Sequence, residues 1–331
     1  MTINKKAITN AILLIITAGV FLWIGLKTDW KATGKAIGSA NPLWVSASLL
    51  VMILSHWLRG YRWNMLTAPA GYPLNAKRSF LAVMSGYLIN VATSRGGEVV
   101  RCALASKSEK APVALLIGTV VTERLVDMLM LLLVCVTGLL VEFDHIYSFF
   151  QSFVLVPAAK AATTSNLLIL LALIALLWFV LRMRKKSAAK KEAAQGGIAA
   201  IVSRFSAGLK SVFTLEKPLY FLFLSAAIWF CYMLSGYCLL QSLQITAHMH
   251  FGSAISLLIF SAVGIAIPLP AGAGVWGAIS FGLTTVYGFN AGDAETFGIF
   301  NLAYQNLFSM LVGGICYLLY MVELRNIPAE S

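Results

Sequence analysis

Charge is scarce in this chain. Of its 331 residues 59% are hydrophobic and 11% charged, where a soluble domain carries about 25% charged residues. With a mean hydropathy of +0.83, that deficit excludes an ordinary water-soluble fold. Long polar stretches are missing too, so one membrane domain over residues 1–331 is expected, with approximate halves 1–165 and 166–331. No CxxC pair occurs. The five cysteines (Cys102, Cys135, Cys231, Cys238, Cys316) lie in or beside apolar runs, and such an odd set reads as small buried hydrophobes rather than a disulfide framework. GxSxG, HExxH, Walker and dinucleotide fingerprints are all absent. No catalytic residue or cofactor is assigned, and the chain is expected not to be an enzyme.

Acidic residues are few: 13, against 25 Lys and Arg, for a net charge of +12. The excess is concentrated. From Arg182 to Lys217 there are nine basic residues against Glu192 and Glu216, a net +7 in that loop alone. A basic loop between apolar spans marks the cytoplasmic side and an anionic leaflet, and it argues against nucleic-acid binding.

Apolar runs predict an all-α polytopic membrane protein with six full spans, at about 8–26, 43–58, 112–141, 166–182, 219–243 and 297–320. Lys5 and Lys6 precede the first run, which is too long for a signal peptide and lacks a small-residue cleavage site; it reads as a retained helix. Two further apolar regions are broken. Residues 79–110 contain Thr93-Ser94-Arg95-Gly96-Gly97, and residues 252–288 contain Pro268-Leu269-Pro270-Ala271-Gly272-Ala273-Gly274. Neither continues as one straight helix.

Charge counting bears on whether the broken regions cross. With loop 182–217 in the cytoplasm, a full crossing by 79–93 would put Arg59, Arg62, Lys77 and Arg78 outside, against the positive-inside rule. If 79–110 enters and leaves on the cytoplasmic side, those charges move inside together with Lys5 and Lys6, while Lys27, Lys31 and Lys35 go outside. By the same count 252–288 dips in from the outer face. Two hairpins entering from opposite faces are the mark of an inverted repeat; eight or more kinked full spans are the alternative. Both termini are expected in the cytoplasm of a cell whose inner membrane holds the protein.

Within the first hairpin a helix can restart at Glu98, with Arg101 one turn on. Backbone N–H groups at such a restart, flanked by arginine, make an anion site; the competing reading is that Arg95, Glu98 and Arg101 simply pair with one another. In the long span 112–141, Glu123 and Asp127 share a face and Arg124 lies beside them. Charges at that depth are costly and pair or line a polar cavity. Arg95, Glu98, Arg101, Glu123, Arg124 and Asp127 together are neutral. Adding Arg59 and Arg62 gives a surplus of two positive charges, suited to a phosphate. The second break could offer helix-start N–H groups near Val275, or be a tight turn. His248 and His250, with no carboxylate or cysteine near them in the sequence, predict no metal site. Ile198, Val202, Phe205, Leu209 and Val212 recur at helical spacing among basic residues, which predicts a short interfacial helix or a solvated linker.

These motifs resemble the transmembrane flippase-like domain shared by lysylphosphatidylglycerol synthases and their stand-alone relatives. The resemblance runs through Arg59-Gly60-Tyr61-Arg62-Trp63, Asn90, Arg95-Gly96-Gly97-Glu98 with Arg101, Glu123-Arg124 with Asp127, and the turn from Pro268 through Pro270 and Gly272 to Gly274. The family pattern commonly has proline where this chain has Thr93, and often a glutamate where it has Val275-Trp276-Gly277. The synthases add a soluble aminoacyl-transfer domain; this chain stops at Ser331, so lysyl transfer is not expected.

The resemblance implies movement of a lipid between leaflets. A phospholipid or other phosphate-bearing lipid would place its head group among Arg95, Gly96, Gly97, Glu98, Arg101, Arg59 and Arg62, supported by Glu123, Arg124 and Asp127. Without a nucleotide motif, uphill transport would draw on a gradient, the membrane potential or a partner. A membrane enzyme acting on a head group, with Glu98 or Asp127 as base, and an accessory subunit are the alternatives.

Overall fold

Short polar caps set where the helices begin. Asp29 Oδ1 accepts the N–H groups of Lys31 and Ala32, both at 3.0 Å, and opens α1 (Trp30–Gly38). Asn41 Oδ1 accepts from Leu43 N–H at 3.0 Å, and Pro42 fills the first position of α2 (Pro42–Thr67). Asn75 caps α3 (Ala76–Ala92) through Lys77 N–H and Arg78 N–H. Then follow α4 (Gly96–Glu109), α5 (Val113–Val141), α6 (Phe143–Phe150), α7 (Ile198–Lys210), α8 (Pro218–Ser242), α9 (Ser253–Ala266), α10 (Ala273–Thr285) and α11 (Ala291–Arg325). This computed structural model describes residues 25–26, 28–93, 96–155, 198–267, 269 and 272–325, and no strand occurs among them.

By length and composition α2, α5, α8 and α11 can each cross a membrane. They match four of the six expected spans; 166–182, and 8–26 up to residue 24, lie outside the described residues. Leu125, Met128, Leu129, Leu132 and Leu133 on α5, and Leu307, Leu311, Ile315 and Leu318 on α11, are exposed. Apolar surface of that extent is a lipid-facing surface, not a soluble one. The chain is an all-α, multi-pass membrane protein.

The two broken regions are helical hairpins. Their arms, with 17 and 14 residues in α3 and α4 and 14 and 13 in α9 and α10, run about 20–26 Å. The bilayer's hydrocarbon is about 30 Å thick, so each arm is too short to cross it. Paired glycines bring the arms together. A Cβ on Gly86 would lie 2.7 Å from Gly97 O, and one on Gly97 would fall on Gly86 O. Gly264 and Gly274 repeat the arrangement: a Cβ on Gly264 would stand 2.6 Å from Gly274 O. Such backbone-to-backbone packing needs small residues. At the second tip Gly272 takes φ +75° as it enters α10, a left-handed conformation that glycine adopts freely.

Both hairpins lean on α11, at different heights. Its N-terminal half packs Phe297, Phe300 and Tyr304 against Ile279 and Leu283 of α10 in one apolar core. Its C-terminal half packs Phe308, Cys316 and Tyr320 against Leu81, Ala82 and Met84 of α3 in another. Gly298 lets Trp276 and Ser280 approach, and Gly313 lets Met84 and Leu88 approach.

The ends of the bundle are therefore distinct. At one end Arg78, at the open base of the first hairpin, contacts Glu109 Oε1 at 3.1 Å and Glu323 Oε2 at 3.4 Å, and Lys77 also pairs with Glu323. At the other, Thr28 meets Glu295 at 2.9 Å, Thr33 meets Thr296 at 3.1 Å, and Glu142 accepts from Tyr287 OH at 3.3 Å below the base of the second hairpin. The hairpins thus point toward each other along α11, as expected of a pair entering from opposite faces.

Two local expectations differ. The segment 198–212 does form a helix, but α7 docks on α5: Gly208 faces the backbone of Gly118 and Thr119, and Thr122 Oγ1 donates to Gly208 O at 3.2 Å. It therefore packs as part of the bundle. His250 also has a carboxylate beside it, which arrives from a distant part of the chain. Glu142 Oε1 lies 3.1 Å from His250 Nε2, and its Oε2 lies 2.7 Å from His145 Nδ1. Among the described residues no group of His, Cys, Asp and Glu is placed to hold a metal.

Candidate functional site

Arginines three apart on α2 face carboxylates four apart on α5. Arg59 Nη2 lies 2.5 Å from Asp127 Oδ2, and its Nε 3.4 Å from Glu123 Oε1. Arg62 Nη2 reaches Glu123 Oε1 at 3.2 Å and Asp127 Oδ1 at 2.8 Å. Arg101, brought in by α4, places Nη2 2.5 Å from Glu123 Oε2. Glu123 thus receives three guanidinium groups and is fully buried; the three arginine side chains are no more than 5% exposed.

Neighbouring helices orient these groups. Arg59 Nη1 donates to Tyr87 OH on α3 and Tyr232 OH on α8, each at 2.9 Å. Arg62 Nη1 donates to Ser225 Oγ at 3.0 Å. The Arg101 guanidinium stacks over Trp63, 4.8 Å from the ring centroid, and Trp63 Nε1 donates to Thr119 Oγ1 at 3.0 Å. Five helices, α2, α3, α4, α5 and α8, are tied through one cluster. Its two buried carboxylates face three buried arginines, which leaves one positive charge in surplus. Burying charges is tolerated only when they are paired, so that surplus favours an anion.

A cleft of about 260 Å³, counting space open to solvent, opens onto the cluster, lined by Arg59, Val83, Gly86, Tyr87, Asn90, Gly97, Glu98, Arg101 and Arg124. Arg124 and Glu98 form its rim, with Nε 2.7 Å from Oε1, and both are partly exposed. Tyr87 and Asn90 also line a second cleft of about 430 Å³, counting space open to solvent, where the hairpin tips meet α11. Val91 comes from the first tip and Gly272 and Val275 from the second; Asn301, Leu302, Gln305, Asn306 and Ser309 come from α11. The two clefts adjoin through Tyr87 and Asn90.

Most of the residues singled out in the sequence converge here. Arg59, Gly97, Glu98, Arg101 and Arg124 line the charged cleft, Glu123 and Asp127 are its buried counter-charges, and Gly272 lines the tip cleft. Arg95, Pro268 and Pro270 lie outside the described residues. Arg62, wholly buried, lines neither cleft and acts as a brace. Gly274 packs on Gly264. The helix restarts at Gly96 rather than Glu98, and its first donors are already occupied: Gly96 N–H by Thr93 Oγ1 at 3.1 Å and Gly97 N–H by Asn90 Oδ1 at 2.9 Å. Arginine side chains, rather than those two amides, are left to meet an anion.

Sequence reasoning missed Tyr87 and Tyr232, which read as ordinary membrane aromatics. It also missed Asn301, Gln305 and Asn306, although three carboxamides inside one apolar span are a signal in themselves.

A family model described as the lysylphosphatidylglycerol synthase TM region matches residues 10–313. A UPF0104 membrane protein of Methanocaldococcus jannaschii is 33% identical over 131 residues, 37% of this chain and 38% of the relative, so the match spans well under half of either protein. No solved structure matches. The chain belongs to the family of lysylphosphatidylglycerol synthase transmembrane regions.

Proposed function

From that membership and the geometry of the clefts, we propose that the protein moves a phosphate-bearing lipid between the leaflets of a membrane. The head group would occupy the clefts while the acyl tails stay in the bilayer. The single observation that carries the reading is the third buried arginine. Arg59 and Arg101 line a cleft with more positive than negative buried charge at its floor, and a phosphate would complete the balance with bidentate partners. Two hairpins that point toward each other and line one cleft near their tips would supply the second requirement, a central site approachable from either end. In this reading the protein carries lipid rather than converting it, in a cell's inner membrane.

The orientation follows from charge. Among the described residues Lys77, Arg78, Lys107, Lys217 and Arg325 gather at the end holding the base of the first hairpin, with Glu109 and Glu323; Lys31 and Lys35 lie at the other, with Asp29, Glu142, Asp144, Asp293 and Glu295. The positive-inside rule puts the first end, and the C-terminus with it, in the cytoplasm.

The test is leaflet exchange in proteoliposomes carrying tail-labelled phosphatidylglycerol, read as the fraction of label accessible to an external quencher over time. Arg101→Gln, at matched reconstitution and with unchanged gel-filtration behaviour, is expected to slow exchange at least about tenfold, as the loss of one charge-assisted contact would. Exchange at the unaltered rate in that variant would overturn the reading.

A further inference from the structure

The cleft at the hairpin tips differs in chemistry from the one beside it. Among the described residues no charged side chain lines it. Its polar groups are four carboxamides, Asn90, Asn301, Gln305 and Asn306, with the Ser309 hydroxyl and the Tyr87 phenol. Asn301 is 3% exposed, and its amide nitrogen is buried without a hydrogen-bond partner, while its Oδ1 accepts a long contact of 3.4 Å from Gln305 Nε2. A buried amide donor left unpaired costs about 1–3 kcal/mol unless something accepts from it.

Carboxamides donate and accept at once, as hydroxyl groups do. A ring or chain of hydroxyls can therefore pair with several of them, whereas an ammonium group would find no carboxylate among the described residues of this cleft. Glu98, in the adjoining cleft, is engaged by Arg124. Because the two clefts share Tyr87 and Asn90, a molecule could extend a phosphate toward Arg59 and Arg101 and its hydroxyl-bearing end toward Asn301.

We propose that the tip cleft is a hydroxyl-binding subsite, which holds the polyol or glycosyl part of a phosphodiester lipid whose phosphate lies against Arg59 and Arg101. The assignment rests on the lipid-translocation reading above and gives it a substrate class: an uncharged, hydroxyl-rich head group rather than a cationic one.

The experiment compares two tail-labelled lipids in proteoliposomes of the full chain: phosphatidylinositol, and phosphatidylpropanol, which has the same single negative charge and no head-group hydroxyl. Phosphatidylinositol is expected to exchange about tenfold faster. Asn301→Leu and, separately, Gln305→Leu, both apolar changes compatible with a span, should reduce that ratio to near one. Equal rates for the two lipids in the unaltered protein, both abolished by Arg101→Gln, would overturn the hydroxyl subsite and leave translocation standing. Exchange of neither lipid above empty vesicles would sink both. Passage of radiolabelled glycerophosphoinositol with no lipid exchange would make the ligand a soluble polyol phosphate and overturn the lipid assignment.

Discussion

Glu123 Oε2 meets Arg101 Nη2 at 2.5 Å, and that contact joins the inner arm of the first hairpin to a membrane-spanning helix. The other oxygen of Glu123 faces Arg59 and Arg62 of α2. One carboxylate therefore sets the position of three helices. Glu123→Ala is expected to destabilise the protein by about 3–5 kcal/mol, the cost of leaving buried charges unmatched. Thermal unfolding in detergent should show a large fall in Tm, and an unchanged Tm would remove the cluster's structural role.

Arg62 touches neither cleft, so its contribution is to stability. Arg62→Gln should lower Tm, while the exchange rate per folded molecule changes less than about threefold, the span of ordinary context effects on one neutral contact. Arg101→Gln should show the opposite weighting. The comparison fails if the two variants lose exchange equally at equal folded fraction.

At Gly97 there is no room for a side chain, because a Cβ would collide with the Gly86 carbonyl. Gly97→Val should separate the hairpin arms and cost more than about 2 kcal/mol, at the upper end of overpacking penalties. Gly277, whose Cβ position is open, is the control: Gly277→Ala in α10 should be neutral or stabilise by up to about 1 kcal/mol. Guanidine or thermal melts of the pair decide it.

Docking of α7 depends on Gly208, which lies against the backbone of α5. Gly208→Leu is expected to release α7 and expose it to protease, with cleavage within 198–210 in detergent at least about tenfold faster, as a loss of local stability near 1.4 kcal/mol would give. Unchanged cleavage would show that the crossing does not need a small residue there.

Much of this was legible in the sequence, for a physical reason. Apolar length gave α2, α5, α8 and α11, because crossing hydrocarbon imposes a minimum run. Glycine and proline marked both hairpin tips, and the rarity of charge made Glu123, Asp127 and Arg101 stand out. Their partners were less visible. A count of charge cannot say that Glu123 takes three arginines while Glu98 takes Arg124 at the rim; that depends on packing angles. Tyr87 and Tyr232 were hidden because aromatic residues are common in membrane helices. Glu142 lies more than a hundred residues from His250 in the sequence, so their proximity needed the fold. The amides of Gly96 and Gly97 looked open to an anion because their caps, Thr93 and Asn90, lie on the other arm's last turn.

Gly298 and Gly313, each with a hairpin resting on it, are separated by fifteen positions of α11, about 22 Å along its axis. Each has its own packing layer, one built from Trp276 and Ser280, the other from Met84 and Leu88. The two hairpins therefore share one post without sharing a bearing surface, and a substitution that crowds one leaves the seat of the other intact.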